Sequence, residues 1–456
     1  MSIFTALTEA ICRGLSKEGG SMSEKEFFEA EIMRFMGSSD RKRMIDGERY
    51  YRGEHDILQN ERTAIGKDGR LKRIDNLPNN KLIDNVYQRL VNQKVNYLLG
   101  REMVIAGEDR TYIELLKKVL GKNFQRMLKS LMRDAINMGI GWLYVYTDEE
   151  GLLKMKRIPA YEIIPYWSDS EHTILDRAVR IYEVEGYKGK REYTRVMVEI
   201  YSKDKVEVFE LEDGVLKKEE EFSGYKAGKI PLIAFKYNEK EIPLIDRVKS
   251  LQDALNKTVS DFENNMQEDS RNSILVLQNY DGTDLGEFRQ NLATYGAVKV
   301  KSVDGLPGDI KVLNTKFDGD NYTALINVIK NAIIENGMGY DAKSDRLGTS
   351  PNQLVIKSMF ADLDLDVCEI EVEFGYAFEA LRAIIDEYLE NVGYGYFENE
   401  KVKLIFNRDC IVNESEAIDN CIKSMEVLSE DTVLMMHPWV EDALAEKNKK
   451  KGEVNG

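Results

Sequence analysis

The sequence predicts an α+β fold organised around two long helices that flank a compact β insert. Three observations carry this. Leu244–Arg271 contains no glycine or proline, and Leu244, Val248, Leu251, Leu255, Phe262 and Met266 recur in it at three- and four-residue spacing. Pro243 suits a first helical turn, while Asp246, Asp253, Lys257 and Asp261 fall on the opposite, polar side. A second apolar stripe (Tyr322, Leu325, Ile326, Ile329, Ile333) follows the insert Asn272–Phe317, with Asp320 as its expected N-cap. Between Gly141 and Phe235 the hydrophobic period drops to two, which predicts an antiparallel sheet. Two rods carrying a β tip describe a stalk, and a stalk is an assembly element.

A chain of 456 residues is too long for one ordinary core and predicts two to four domains. Hydrophobic residues make up 43% and charged residues 32%, with a mean hydropathy of −0.43, as expected of packed, water-soluble domains. The net charge of −16 argues against a protein whose main task is to grip phosphates, since that task needs Lys and Arg. It agrees with a wall that lets phosphate pass without holding it. The four cysteines (Cys12, Cys368, Cys410, Cys421) form no C-x-x-C pair and read as reduced thiols. No apolar run approaches membrane-spanning length, the first residues do not make a signal peptide, and Met22 is a second candidate start. Cytoplasmic work is the expectation.

In chain order, residues 1–45 read as amphipathic helix ending in the basic run Arg41-Lys42-Arg43, a solvated helix face. Lys81–Leu99 is a helix with Leu82, Val86, Leu90, Val91, Val95 and Leu98 on one side and Gly100 as its stop. One further helix covers Arg110–Met138. The strands follow: Leu143 and Val145 with Leu152–Met155 around the turn Asp148–Gly151, then Arg177–Gly186, Thr194–Tyr201, Lys205–Leu211, Val215–Phe222 and Leu232–Phe235. In the insert, Ile274–Leu277 and Ala297–Val300 read as strands and Leu285–Leu292 as a short helix. Gly337–Pro351, with its glycines and charges, reads as a loop free to move between rods. Asp362–Phe374 alternates acid and apolar as a strand would. The same stretch also carries the helical stripe Leu363, Val367, Ile370, Phe374, Phe378, Leu381 and Ile385, and one long helix over Asn352–Leu389 is the reading adopted. Val402–Phe406 is a last strand, and Asn413–Lys450 forms two or three short helices.

Catalytic patterns are missing. Asp362, Asp364, Asp366 and Glu373 imitate calcium-loop spacing, but Val367 stands where the sharp-turn glycine belongs, so a charged helix face is expected instead. Gly224–Ile230 lacks phosphate-loop spacing, and no nucleophile has an evident base beside it. Neither a cofactor nor a metal ligand set is expected.

Three stretches together resemble a known family. These are YYRGEHDIL (Tyr50–Leu58) with NKLIDNVYQRLVNQKVNYLLGRE (Asn80–Glu102), GKIPLIAFKYNEKEIPLIDRVKSLQDALNKTVSDFENNMQ (Gly228–Gln267), and LSEDTVLMMHPWVEDALAEKNK (Leu428–Lys449). Their order and spacing resemble the SPP1-type portal proteins of tailed phages or prophages of Gram-positive bacteria. Tyr237–Pro243 departs from the family pattern, which blurs the start of the first long helix. The resemblance implies a mixed α/β wing (1–243 and 352–412), stem helices (244–271 and 318–336), a small α/β clip (272–317), a tunnel loop (337–351) and a helical crown (413–456). It further implies a virion protein assembled in the host cytoplasm as a homo-oligomeric ring, a dodecamer, at the capsid vertex. Double-stranded DNA would pass through it, and terminase, head-completion or adaptor protein, scaffolding and major capsid protein would be its partners. Gly337, Gly339, Lys343, Asp345, Arg346 and Gly348 become the tunnel-loop candidates, and Asp246, Asp253, Lys257 and Lys330 the channel-facing stem candidates. Asn279, Asp281, Gly282, Lys299 and Lys301 become docking candidates on the clip. The alternatives are another head or connector protein and a metal-dependent nuclease-like enzyme.

Overall fold

In the computed structural model the residues described are 22–65, 69–73, 77–188, 190–223, 229–269, 274–278, 309–313, 319–341, 353–408, 414–440 and 446–447. Polar caps set the first helices. Ser23 and Glu26 exchange bonds in a capping box at the start of α1 (Glu24–Met36), and the Ser38 hydroxyl accepts the Arg41 amide to open α2 (Ser39–Tyr51). The basic run is less solvated than expected. Arg41 donates to the Tyr161 carbonyl at 3.0 Å, and Arg43 pairs with Asp40 and with Asp246.

The chain divides into two compact units. The larger comprises Met1–Glu54, Asn85–Lys249 and Ile333–Gly456; the smaller comprises His55–Asp84 and Ser250–Ala332. In the larger unit, α3 (Val86–Leu99) begins five residues later than the sequence suggests, because Asn85 caps it by accepting the Gln88 amide. Leu82, assigned to its apolar stripe, is instead exposed and outside any helix. The single helix expected over Arg110–Met138 is two, α4 (Arg110–Leu120) and α5 (Phe124–Met138), because Gly121 turns the backbone at φ +73°.

Two antiparallel sheets follow, preceded by the short strand β3 (Val104–Gly107). In one, β4 (Ile140–Thr147) lies between β5 (Leu153–Ile158) and β11 (Leu232–Lys236). In the other, β6 (Ile163–Trp167), β7 (Leu175–Lys188), β8 (Arg191–Tyr201), β9 (Lys205–Glu212) and β10 (Val215–Ser223) form a meander in chain order. Phe27, Phe28 and Ile32 of α1 close the meander's core over Val179, Val198 and Leu216. The sequence placed these strands within a few residues, apart from β6, because period-two alternation is strong wherever one face is wet.

Asp134 on α5 is half-buried beside Arg157 of β5, and its desolvation raises its carboxyl pKa from 3.8 to about 6 despite that cation. A raised folded pKa means the contribution to stability is complete below the unfolded value and is lost as pH rises through about 6. We expect the larger unit to lose ~3 kcal/mol between pH 4 and pH 7.5 from this group, at 1.36 kcal/mol per pH unit. Asp134→Asn removes that slope in denaturant titrations followed at the tryptophans; an unchanged slope refutes the assignment.

A helix of 40 residues, α8 (Gln353–Val392), then packs Phe374 on Phe235 of β11, ring centroids 5.0 Å apart. The helix reading of the alternating stretch is the observed one. β14 (Val402–Ile405) pairs with β3, and two short helices, α9 (Glu414–Ser424) and α10 (Glu430–Met436), follow.

The smaller unit holds the ribbon of β1 (Thr63–Ile65) and β2 (Leu71–Arg73) and most of the two long helices, α6 (Ile245–Asp269) and α7 (Gly319–Asn336). Phe262 meets Tyr322 at 5.4 Å between ring centroids, and Asn265 donates to the Tyr322 hydroxyl at 3.0 Å. Two stripe assignments fail: Met266 and Leu325 are exposed. Asp320 lies inside the first turn of α7 and not at its N-cap, where its charge suits the helix dipole. The insert's strand Ile274–Leu277 is found as β12 (Ile274–Gln278), antiparallel to β13 (Asp309–Leu313), which the sequence reading did not anticipate. The strand expected at Ala297–Val300 and the helix at Leu285–Leu292 lie outside the described residues.

Candidate functional site at the roots of the long helices

In the smaller unit, the buried side of α6 is polar. Gln252, Asn256, Ser260 and Asn264, four residues apart, are all buried. They pair with the segment Asn80–Asp84, which itself belongs to no helix or strand. Asn264 Oδ1 accepts the Asn80 amide at 2.7 Å, Ser260 Oγ accepts the Leu82 amide at 2.9 Å, and Asn256 Oδ1 accepts the Asp84 amide at 3.1 Å. Gln252 donates back to the Asp84 carbonyl at 2.7 Å. Four residues of helix rise ~6 Å and two residues of extended chain ~6.6 Å, so the two repeats stay in step over three rungs. Asn256 Nδ2 also donates to Nδ1 of the buried His55 at 2.7 Å. We expect the Asn80, Leu82 and Asp84 amides to resist hydrogen exchange although they lie outside any sheet. Asn256→Ala strips three partners at once and should speed exchange there by on the order of tenfold or more, since an unpaired buried group costs ~1–3 kcal/mol. Exchange at the same rate in both proteins removes the ladder as a structural element.

In the larger unit, four segments meet at one carboxylate and a fifth joins them through Lys94. Asp366 of α8 is 3% exposed. Its Oδ2 accepts from Lys94 Nζ of α3 at 2.8 Å and from the Tyr237 hydroxyl at 2.6 Å, and its Oδ1 accepts from Arg247 Nη1 at 2.7 Å. Lys94 also donates to the Met338 carbonyl at 3.0 Å, which brings in the end of α7. Burial alone would raise the Asp366 pKa; Lys94, Tyr237 and Arg247 together hold it below its ordinary value. The sequence reading put Asp366 on a charged, solvated helix face. That is corrected here, as three donors make burial affordable only for this acid of the run. Asp364, by contrast, pairs with Tyr97 and Arg408. Among the described residues, no group of three or more His, Cys, Asp or Glu is placed to hold a metal ion.

The end of α7 is a Schellman turn. The Gly339 amide donates to the Ile334 carbonyl at 2.9 Å and the Met338 amide to Glu335 at 3.1 Å. Met338 takes the left-handed position at φ +48°, where glycine is the usual occupant. Gly337 and Gly339 on either side are buried and do not have positive φ; an added Cβ would come within 2.4 Å and 2.2 Å of the Leu90 methyls. They are contact glycines, which corrects the expectation that they free the loop to move. Gln93 brackets Tyr340 by donating to its carbonyl at 2.8 Å, and Tyr340 packs on Phe360 of α8, centroids 4.5 Å apart.

The remaining candidates divide as follows. Asp246 is paired with Arg43 at 2.8 Å, and Lys330 bridges to Asp84 at 2.6 Å. Asp253 is half-buried and Lys257 exposed. Lys343, Asp345, Arg346, Gly348, Asn279, Asp281, Gly282, Lys299 and Lys301 lie outside the described residues. The sequence reading missed both the ladder and the Asp366 cluster. The ladder had a signal, since uncharged Gln, Asn, Ser and Asn repeat every four residues beside the Leu251–Leu255 stripe.

The family description "Phage portal protein, SPP1 Gp6-like" matches residues 37–455. The chain belongs to this portal family. The portal protein of Bacillus phage SPP1 is 25% identical over 459 residues, covering 95% of this chain and 88% of the relative. The portal protein of Clostridium phage phiCD119 is 25% identical over 435 residues, covering 91% and 94%. A solved structure described as the neck of a native GTA particle, computed with C12 symmetry, aligns with a TM-score of 0.42 and 11% identity over 77% of this chain and 89% of that one. Portal function follows from the family: a structural component of the phage capsid vertex, assembled as a ring, that serves as packaging channel and connector. Among the described residues no helix is long and apolar enough to cross a membrane.

Proposed function

We propose that this portal chain assembles as a dodecamer in the host cytoplasm, with scaffolding and major capsid protein, at one vertex of the head. Double-stranded DNA is driven through its channel by a terminase, and head-completion or adaptor proteins later dock on the same ring. Residues 1–243 and 352–412 act as wing, 244–271 and 318–336 as stem, 272–317 as clip, 337–351 as tunnel loop and 413–456 as crown. The channel-facing, tunnel-loop and clip residues named above are part of this proposal. The observation that carries it is the family match over residues 37–455, unbroken from the second helix to the last residues. The net charge of −16 supports a wall that repels phosphate and so lets DNA slide.

Negative-stain electron microscopy with native mass, on the protein alone and co-expressed with its capsid and scaffolding proteins, tests the proposal. Twelvefold rings with a central hole, one per particle, are expected. Rings of another order overturn the dodecamer, and closed dimers that cut DNA with a divalent metal overturn the whole reading.

A further inference from the structure

Helix α8 is apolar on two opposite sides. Leu363, Val367, Ile370, Phe374, Leu381 and Ile385 face the core and are buried. Leu354, Leu365, Val372 and Tyr376 are 75%, 65%, 57% and 73% exposed. Successive members of this second set are eleven, seven and four residues apart, which at 3.6 residues per turn returns each to the same outward side. An outward stripe about 33 Å long serves no purpose in a lone subunit, and water-soluble proteins keep large apolar patches for partners. Exposed Asp362 and Glu369 flank it. On the other flank Asp364 and Glu371 both pair with Arg408, so the charge left over on this side of the helix is that of Asp362 and Glu369.

The same unit carries a surface of complementary character. A cavity of about 600 Å³ between α4, α5, the β4–β5 turn and the end of α8 has Leu115, Val119 and Met127 in its wall and Lys118, Lys122 and Lys154 at its rim. Lys154 pairs with Asp148 at 3.4 Å, whereas Lys118 and Lys122 pair with no acid among the described residues. One subunit thus holds an acidic apolar ridge and a basic apolar cavity at different places, both uncovered among the described residues. Two distinct complementary patches on one chain make a heterologous contact, the kind that closes rings.

We propose that the outward stripe of α8, anchored by Tyr376, docks in the lysine-rimmed cavity of a second copy of this chain. The proposal rests on the ring reading above and specifies one of its interfaces. Tyrosine suits the anchor position, its ring reaching the apolar wall while its hydroxyl stays at the wet rim.

Charge reversal tests it on the full chain, read by sedimentation velocity and negative-stain microscopy. Asp362→Lys with Glu369→Lys, and separately Lys118→Glu with Lys122→Glu, should each raise the concentration needed for rings by on the order of tenfold or more, while the circular dichroism of the subunit is unchanged. Placing all four changes in one chain should restore assembly, and Tyr376→Ala should weaken it without altering its salt dependence. Reversals that leave assembly at the wild-type level, or a fourfold variant no better than either pair, overturn the interface while the ring reading stands. Rings that assemble normally but fail to enter particles also overturn it and assign the stripe to another capsid component. Wild-type protein that forms no ring, alone or with its capsid partners, removes the ring reading and this interface together.

Discussion

Asp366→Ala is expected to be the most damaging single substitution in the larger unit, at about 3–5 kcal/mol, because it leaves a buried cation without its counter-charge. Lys94 is fully buried and, among the described residues, keeps only the Met338 carbonyl; Tyr237 loses its acceptor; Arg247, partly exposed, can turn to water. Replacing both ends of the main pair, Lys94→Met with Asp366→Leu, should recover much of the loss, since the penalty comes from the orphaned charge more than from the absent attraction. The pH dependence has a defined sign. The Asp366 pKa is lowered in the folded state, so its contribution is complete above the ordinary carboxylate range and is lost as pH falls through the lowered value. Denaturant midpoints of wild type and Asp366→Ala, followed at buried Trp142, should therefore converge on acidification below about pH 4. A gap that stays constant down to pH 2.5 refutes the ion-pair account. If Asp366→Ala also changes how tightly particles retain DNA while rings still form, the cluster links the packing of α8 to the end of α7.

Particular residues show why some of the architecture was legible beforehand and some was not. The sheet strands declared themselves because their alternation answers to water on one face. Helix α8 nearly misled for a related reason. With core residues at Leu363, Val367 and Phe374 and outward residues at Leu365 and Val372, a helix apolar on two opposite sides looks over a short window like a strand. Length and the absence of turn residues decided it. The start of α3 differs because Leu82 extends the apolar stripe of Val86 and Leu90 backwards, yet the segment donates its amides to Asn256, Ser260 and Asn264 and accepts from Gln252, more than 160 residues later in the chain. Such non-local bonds override propensity and leave no local mark. Asp366 was hidden by its neighbours. Asp362, Asp364, Asp366 and Glu373 read as one charged face, and which of them is buried depends on where Lys94, Tyr237 and Arg247 converge.

Gly339→Ala, and more so the pair Gly337→Ala and Gly339→Ala, is expected to destabilise the larger unit by about 1–3 kcal/mol per site, the usual range for overpacking a filled interior. The tightest clash is with one side chain, Leu90, although a Cβ at 337 would also lie 2.8 Å from the Ile333 carbonyl oxygen, which trimming Leu90 does not relieve. Added Cβ atoms at 337 and 339 would lie 2.4 Å and 2.2 Å from the two methyls of Leu90, which is buried on α3 and has no room to retreat. This separates two explanations of why glycine stands there. A glycine kept for its backbone freedom is harmed by alanine whatever its neighbours are, and trimming Leu90 brings no relief. A glycine kept for close approach is relieved by it. Leu90→Ala alone should cost about 2–5 kcal/mol through the cavity it leaves, but in the Gly337→Ala, Gly339→Ala background the new methyls occupy part of that space. The double-mutant cycle should then show a favourable coupling on the order of 1–3 kcal/mol. Zero coupling restores the hinge reading. Met338, the residue that does take the left-handed conformation, gives the converse control. Met338→Gly removes backbone strain on the order of 1 kcal/mol but also the side chain whose Sδ lies 3.4 Å from Arg247, so its effect on stability should be small, and any effect on DNA passage would arise from conformational freedom at that position. Taken with the coupling, it would place the onset of movement at Met338 or beyond, with the two glycines holding the end of α7 against α3.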